Sequence, residues 1–197
     1  MKVAFGMKAH SGWAALVVLG TRSGELEVVN RRRIELVEDE WAKQPYHAAE
    51  DLEAKAARKV VERGIEAARR IAVREMRVAV RQEQERENQV AACAVLVTEP
   101  MPDWTVDEIF AVHFRMHKAE GVLFRDALAR AATACDLKLL RVPEKQLDEL
   151  AVQTLRTSLN SLQKTIASLG KSVGPPWGKD QKDAALAAMI ALQGHLK

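Results

Sequence analysis

Cysteine is almost missing from this chain, with two in 197 residues. Cys93 and Cys135 both lie in alanine-rich apolar stretches, and neither has a second Cys or a His at ligand spacing. That excludes a disulfide scaffold and a thiolate zinc site, and it suits a reducing compartment. Strong charge of one sign is also missing. The formal net charge is +3, so composition alone does not argue for a nucleic-acid partner. Long hydrophobic runs are absent too. The longest are Ala14–Leu19, Ala91–Val97 and Ala184–Leu192, far short of the roughly 18 residues that span a bilayer. Lys8 and His10 interrupt the N-terminal apolar segment before a secretory core can build up. The expectation is a cytoplasmic protein with no membrane partner and no small-molecule cofactor. No internal repeat or low-complexity tract divides the chain, so residues 1–197 are expected to form one domain.

The rest of the sequence alternates strand and helix signals. "WAALVVLG" (13–20) is apolar throughout, as in a strand buried on both faces. Residues 3–7 precede it, "TRSG" (21–24) is a turn, and 25–38 reads as strand, polar break, strand. Together these make a three-stranded antiparallel meander. A long helix follows over about 47–87, long enough to project from the domain. Val61, Ile65, Ala68, Ala72, Met76 and Ala79 form its apolar stripe. Lys59, Arg63, Arg70, Arg74, Arg77 and Arg81 fall on the opposite side. From Ala54 to Asn88 there are ten Lys/Arg against six Glu, a local net of +4. Such a stripe can track a phosphate backbone, line an oligomer interface, or be a solvated face with i,i+4 pairs.

"QVAACAVLVTEP" (89–100) reads as a buried strand. Thr105 and Glu108 form a capping box for a helix that runs to Met116 or pauses near Gly121. Helical periodicity continues over 121–136, and "LKLLRVP" (137–143) is a short strand. Residues 144–169 are helical but irregular. "GKSVGPPWGK" (170–179) is a loop, and a last helix opens at Asp180.

Three acids stand where such a sheet does chemistry. Glu99 ends a buried strand, at the edge where ligands of open α/β sheets gather. Asp180 and Asp183 share one face of a helix's first turn. The set could hold Mg²⁺ or Mn²⁺ through hard oxygen ligands and stabilise a phosphodiester displacement. An Asp at a helix start is equally favoured by capping and the helix dipole, with no metal. His113 and His117 have i,i+4 ligand spacing, but no metalloprotease signature accompanies them, which favours exposed non-ligand histidines. Trp13 reads as a core residue, and Trp177 as a base-stacking platform or a loop anchor.

The order of these stretches resembles the ribonuclease H-like superfamily, above all Holliday-junction resolvases of the RuvC kind. "AFGMKAHSGWAALVVLG" looks like that family's first strand and turn. "VAACAVLVTEP" looks like its fourth strand. "HKAEGVLFRDALARAATACDLKLLRVP" resembles its next helix and strand, and "GKDQKDAALAAMIAL" its terminal helix, which opens Asp–x–x–Asp–Ala. The resemblance implies a mixed five-stranded sheet flanked by helices. It also implies that Glu99, Asp180 and Asp183 are the catalytic metal ligands and that DNA is the partner, and the long arginine-rich helix adds the expectation of a homodimer. It places Lys8 where the family has its first-strand Asp. An ammonium there is a point cation at a metal position, able to pair with Glu99 and Asp183.

Three functions follow from this pattern. One is a protein with a degenerate metal site that binds nucleic acid or a partner without efficient cleavage. The second is an active Mg²⁺-dependent endonuclease in which another acid, such as Asp103, substitutes. The third is a dimerising scaffold. Actin-like ATPases share the fold, but the second glycine-rich phosphate loop they need is not found in this sequence.

Overall fold

The computed structural model describes residues 1–194. Its centre is a five-stranded sheet in the order β3-β2-β1-β4-β5. The strands are β1 (Lys2–His10), β2 (Trp13–Arg22), β3 (Glu25–Glu35), β4 (Gln89–Val97) and β5 (Lys138–Pro143). The first three pair antiparallel, and β1/β4 and β4/β5 pair parallel. The middle strands are apolar on both faces because both faces are covered. The expected meander is present, but its third strand is unbroken. The polar residues Asn30–Arg33 stay in the ladder opposite Val18–Ala15, and one register shift at Val18/Leu19 absorbs the extra residue.

Helix α1 (Ala54–Glu85) is long but starts later than the periodicity predicts. Residues 40–43 and 47–49 are 3₁₀ turns instead. The cause is tertiary. The buried Glu120 carboxylate accepts the backbone N–H groups of Tyr46 and His47 at 3.2 and 3.1 Å, drawing that segment towards another helix. The capping box of Thr105 and Glu108 forms and opens α2 (Val106–Phe110). That helix stops before Met116. A second one, α3 (His113–Ala134), then runs straight through Gly121. The remaining helices are α4 (Leu147–Leu155), α5 (Leu159–Val173) and α6 (Lys179–Gln193). The loop predicted from Gly170 therefore begins four residues later, at Gly174, and the last residues of the predicted C-terminal helix lie outside those described.

Alternation along β1 assigns the two faces of the sheet. Val3, Phe5, Met7 and Ala9 join α1 and α3 in one core, whereas Ala4 joins α4, α5 and α6 in the other. Gly6 lies on the α6 side. A Cβ there would stand 1.8 Å from the Ala184 carbonyl oxygen, so α6 rests directly on the β1 backbone. No helix among the described residues is long and apolar enough to cross a membrane. Burial pushes the Cys93 thiol up to about 12, which makes it an inert packing group.

Candidate functional site

Lys8 is two residues beyond Gly6 and so faces α6 as well. Its side chain is only 6% exposed, and it ends among three carboxylates. The ammonium donates to Asp183 Oδ2 at 2.6 Å. It lies 2.9 Å from Glu144 Oε1 and 3.5 Å from Asp180 Oδ1. Asp180 and Asp183 come from the first turn of α6, where the helix N-terminus favours negative charge. Glu144 opens the 3₁₀ turn that follows β5.

Further cations close the cluster. Lys179 Nζ sits 2.6 Å from Asp183, and an Arg125 guanidinium nitrogen is 3.5 Å from Glu144. Three carboxylates therefore meet three positive charges, of which Lys8 is the buried one. His10 Nε2 approaches Asp180 to 3.0 Å without the alignment of a hydrogen bond. Its ring stacks on Trp13 at 4.4 Å, and the Arg33 guanidinium lies 4.2 Å from the centre of that indole. Trp13 is thus a half-buried link in a surface stack and not the core residue expected.

Burial alone would lower the Lys8 pKa, but the hydrogen bonds and charges of Asp183 and Glu144 outweigh it and raise the value above that of an ordinary lysine. Glu144 is the mirror case. Burial would raise its pKa, yet Lys8 and Arg125 hold it below the usual carboxylate range.

Of the acids picked out by sequence, the structure brings together Asp180 and Asp183 with Lys8. It does not bring Glu99 to the ammonium. Strand β4 ends at Val97, and Glu99 precedes Pro100, which biases it to extended backbone and carries the chain off the sheet edge. The Glu99 side chain is 71% exposed and pairs with Lys145 at 2.7 Å, which holds its pKa below the usual range. The expected Lys8–Glu99 pair is therefore replaced by Lys8–Glu144. Glu99 and Asp103 instead line a cavity of about 560 Å³ with Arg125 and Arg141. Sequence reasoning missed Glu144. The available signal is that it directly follows a strand ending in Pro143, the rule that selected Glu99.

The six basic residues of α1 are exposed, but α1 covers the sheet face opposite α6. Arg70 and Arg74 pair with Glu38, and Arg63 caps Trp41 at 4.5 Å. Arg77 and Arg81 line an open groove with Arg69 and make no ion pair among the described residues. Trp177 is a loop anchor. Its Nε1 donates to the Ile166 carbonyl at 3.0 Å, and its ring fills the space that a Cβ on Gly170 would need.

Solved structures of similar shape include Thermus thermophilus RuvC, with a TM-score of 0.50 and 15% identity, covering 98% of this chain and 96% of that one. A second is T. thermophilus RuvC in complex with a Holliday junction substrate, with a TM-score of 0.52 and 11% identity, covering 100% and 96%. This is a RuvC-like ribonuclease H fold. No family model and no curated protein matches the sequence. At this level of identity the likeness establishes the RuvC architecture, with its mixed sheet and flanking helices, and leaves the chemistry to be argued from the site.

Proposed function

We propose that this protein keeps the RuvC architecture with a degenerate metal site, and that it binds nucleic acid without efficient cleavage. The observation that carries this reading is the Lys8 ammonium among Asp183, Glu144 and Asp180. The donors are hard oxygens of the type Mg²⁺ and Mn²⁺ prefer. Their arrangement does not fit such an ion, because a fixed cation already stands at their common point and Lys179 and Arg125 balance what charge remains. The raised Lys8 pKa keeps that cation in place across physiological pH. The solved RuvC–junction complex of the same fold makes branched DNA the first ligand to test. The exposed arginines of α1 are the proposed phosphate contacts.

The test has two arms. Incubation with a four-way DNA junction in Mg²⁺ or Mn²⁺ is expected to give no cleavage above background. Cleavage that Asp183→Asn abolishes would establish the active endonuclease instead. Binding of the same junction in EDTA is expected to weaken steeply with salt. Arg77→Glu/Arg81→Glu is expected to reduce the slope of log affinity against log salt by about 2. Failure to bind junction, single strand or duplex at low salt would favour the scaffold.

A further inference from the structure

A second cluster of ligating side chains lies apart from Lys8, where the β3–α1 connection meets α3. His113 is the first residue of α3, and His117 is one turn later on the same face. The fold adds a third imidazole that spacing could not reveal, His47, from the 3₁₀ turn before α1. One ring nitrogen from each of the three lies within 4.8 Å of the other two. His113 Nε2 and His117 Nε2 are 3.1 Å apart. Two imidazole nitrogens on one tetrahedral Zn²⁺ stand roughly 3.3 Å apart, given Zn–N bonds of about 2.05 Å.

The surroundings have the form of ligand support. Glu120, at 5% exposure, lies 2.7 Å from His47 Nδ1 while accepting the Tyr46 and His47 backbone N–H groups. A carboxylate held by two backbone donors is a ready acceptor for Nδ1–H of His47, and in that tautomer Nε2 has a free lone pair. Glu50 Oε1 lies 3.4 Å from His113 Nδ1 and repeats the pattern. Two of the three histidines thus carry a carboxylate at Nδ1, the kind of support that orients histidine ligands at metal sites. An isolated histidine stack has no need of either carboxylate.

We propose that His47, His113 and His117 bind one borderline transition-metal ion of the Zn²⁺ class. The donor set is all imidazole, which suits zinc, copper, nickel or cobalt and not Mg²⁺ or Ca²⁺. His113 is 60% exposed, so an ion can reach the cluster from solvent. The ion ties the β3–α1 connection to the start of α3. The site is independent of the Lys8 cluster and of any reading of it.

The probe is Zn²⁺ alone, titrated calorimetrically into the tag-free full-length chain after chelator treatment. Co²⁺ substitution gives an independent readout through its visible d–d absorption. The expected result is one equivalent bound, with a rise in Tm. The exposed double variant His113→Ala/His117→Ala, checked for folding by circular dichroism, should bind at least 100-fold more weakly. Phe114→Ala, on the same turn, should bind as the parent does. Glu120→Gln should weaken binding about 10- to 100-fold. Equal Zn²⁺ uptake by parent and double variant, or no uptake by the parent at micromolar Zn²⁺, would overturn the proposal.

Discussion

Lys8→Met is expected to lower the unfolding free energy by about 2–3 kcal/mol, although the new side chain has nearly the same shape. The loss is electrostatic. Asp183, Glu144 and Asp180 would face one another with no cation between them. Removing one partner of a fully buried pair costs about 3–5 kcal/mol. The figure here is smaller because the carboxylates stay 15–28% exposed and keep part of their hydration. Urea denaturation measures it, and a midpoint equal to the parent's would show that the pairs contribute nothing net.

The pH dependence has a definite sign. In the parent, the raised Lys8 pKa gives stability that is fully present below the ordinary lysine value and fades only as pH climbs through the higher folded one. The depressed Glu144 pKa gives stability present above the ordinary carboxylate value and lost as pH falls through the folded one. Between about pH 5 and 9 this cluster should therefore leave parent stability flat. In Lys8→Met the crowded carboxylates gain protons more readily than in the unfolded chain, so the variant recovers part of its loss as pH falls towards 5. Lys8→Asp extends the argument. The shorter side chain vacates the space that the ammonium fills and adds a fourth carboxylate on its strand side, so Mn²⁺ should raise the Tm of this variant and leave the parent's unchanged. A Tm indifferent to Mn²⁺ in both would remove Lys8 as the feature that keeps a divalent ion out.

Gly6→Ala is expected to cost roughly 3 kcal/mol or more, at the top of the overpacking range. The added methyl would meet backbone atoms, namely the Ala184 oxygen at 1.8 Å and the Ala188 nitrogen at 2.8 Å, and no rotamer change can relieve that. Helix α6 must lift from β1. Its close-packed face of Ala184, Ala185, Ala187, Ala188 and Ala191 would then lose contact along its length. The same helix carries Asp180 and Asp183, so the Lys8 cluster should loosen with it. The denaturation midpoint reports the first effect, and the Lys8 Nζ environment by NMR reports the second. Parent-like values for both would mean that α6 is not seated as tightly as the Cβ distances imply.

These positions also show what the sequence could reveal. Lys8 and the Asp–x–x–Asp turn were legible as neighbours, whereas the seat of α6 on Gly6 was not, because strand β1 runs through the expected turn to His10. A helix start puts 180 and 183 on one turn. The Thr105–Glu108 box was legible because capping is local. Glu144 and His47 were not, since each acquires its role from a neighbour across the fold. The start of α1 was misjudged for the same reason, because Glu120 decides it from more than 70 residues away. Glu99 was misplaced because strand-end position predicts proximity to a sheet edge but not which way the chain turns after it.

The borders of the sheet carry a last consequence. An eleven-residue outer strand such as β3 presents a long row of backbone groups that could recruit another copy edge to edge. Here Arg31, Arg32 and Arg33 follow one another along it, and each is tied down. Arg31 reaches the carbonyls of Val173, Pro175 and Pro176, Arg32 reaches Gln82, and Arg33 reaches Glu35. The opposite border, β5, is short and ends in Pro143. Both rims therefore carry features that disfavour ribbon-like, edge-to-edge continuation of the sheet.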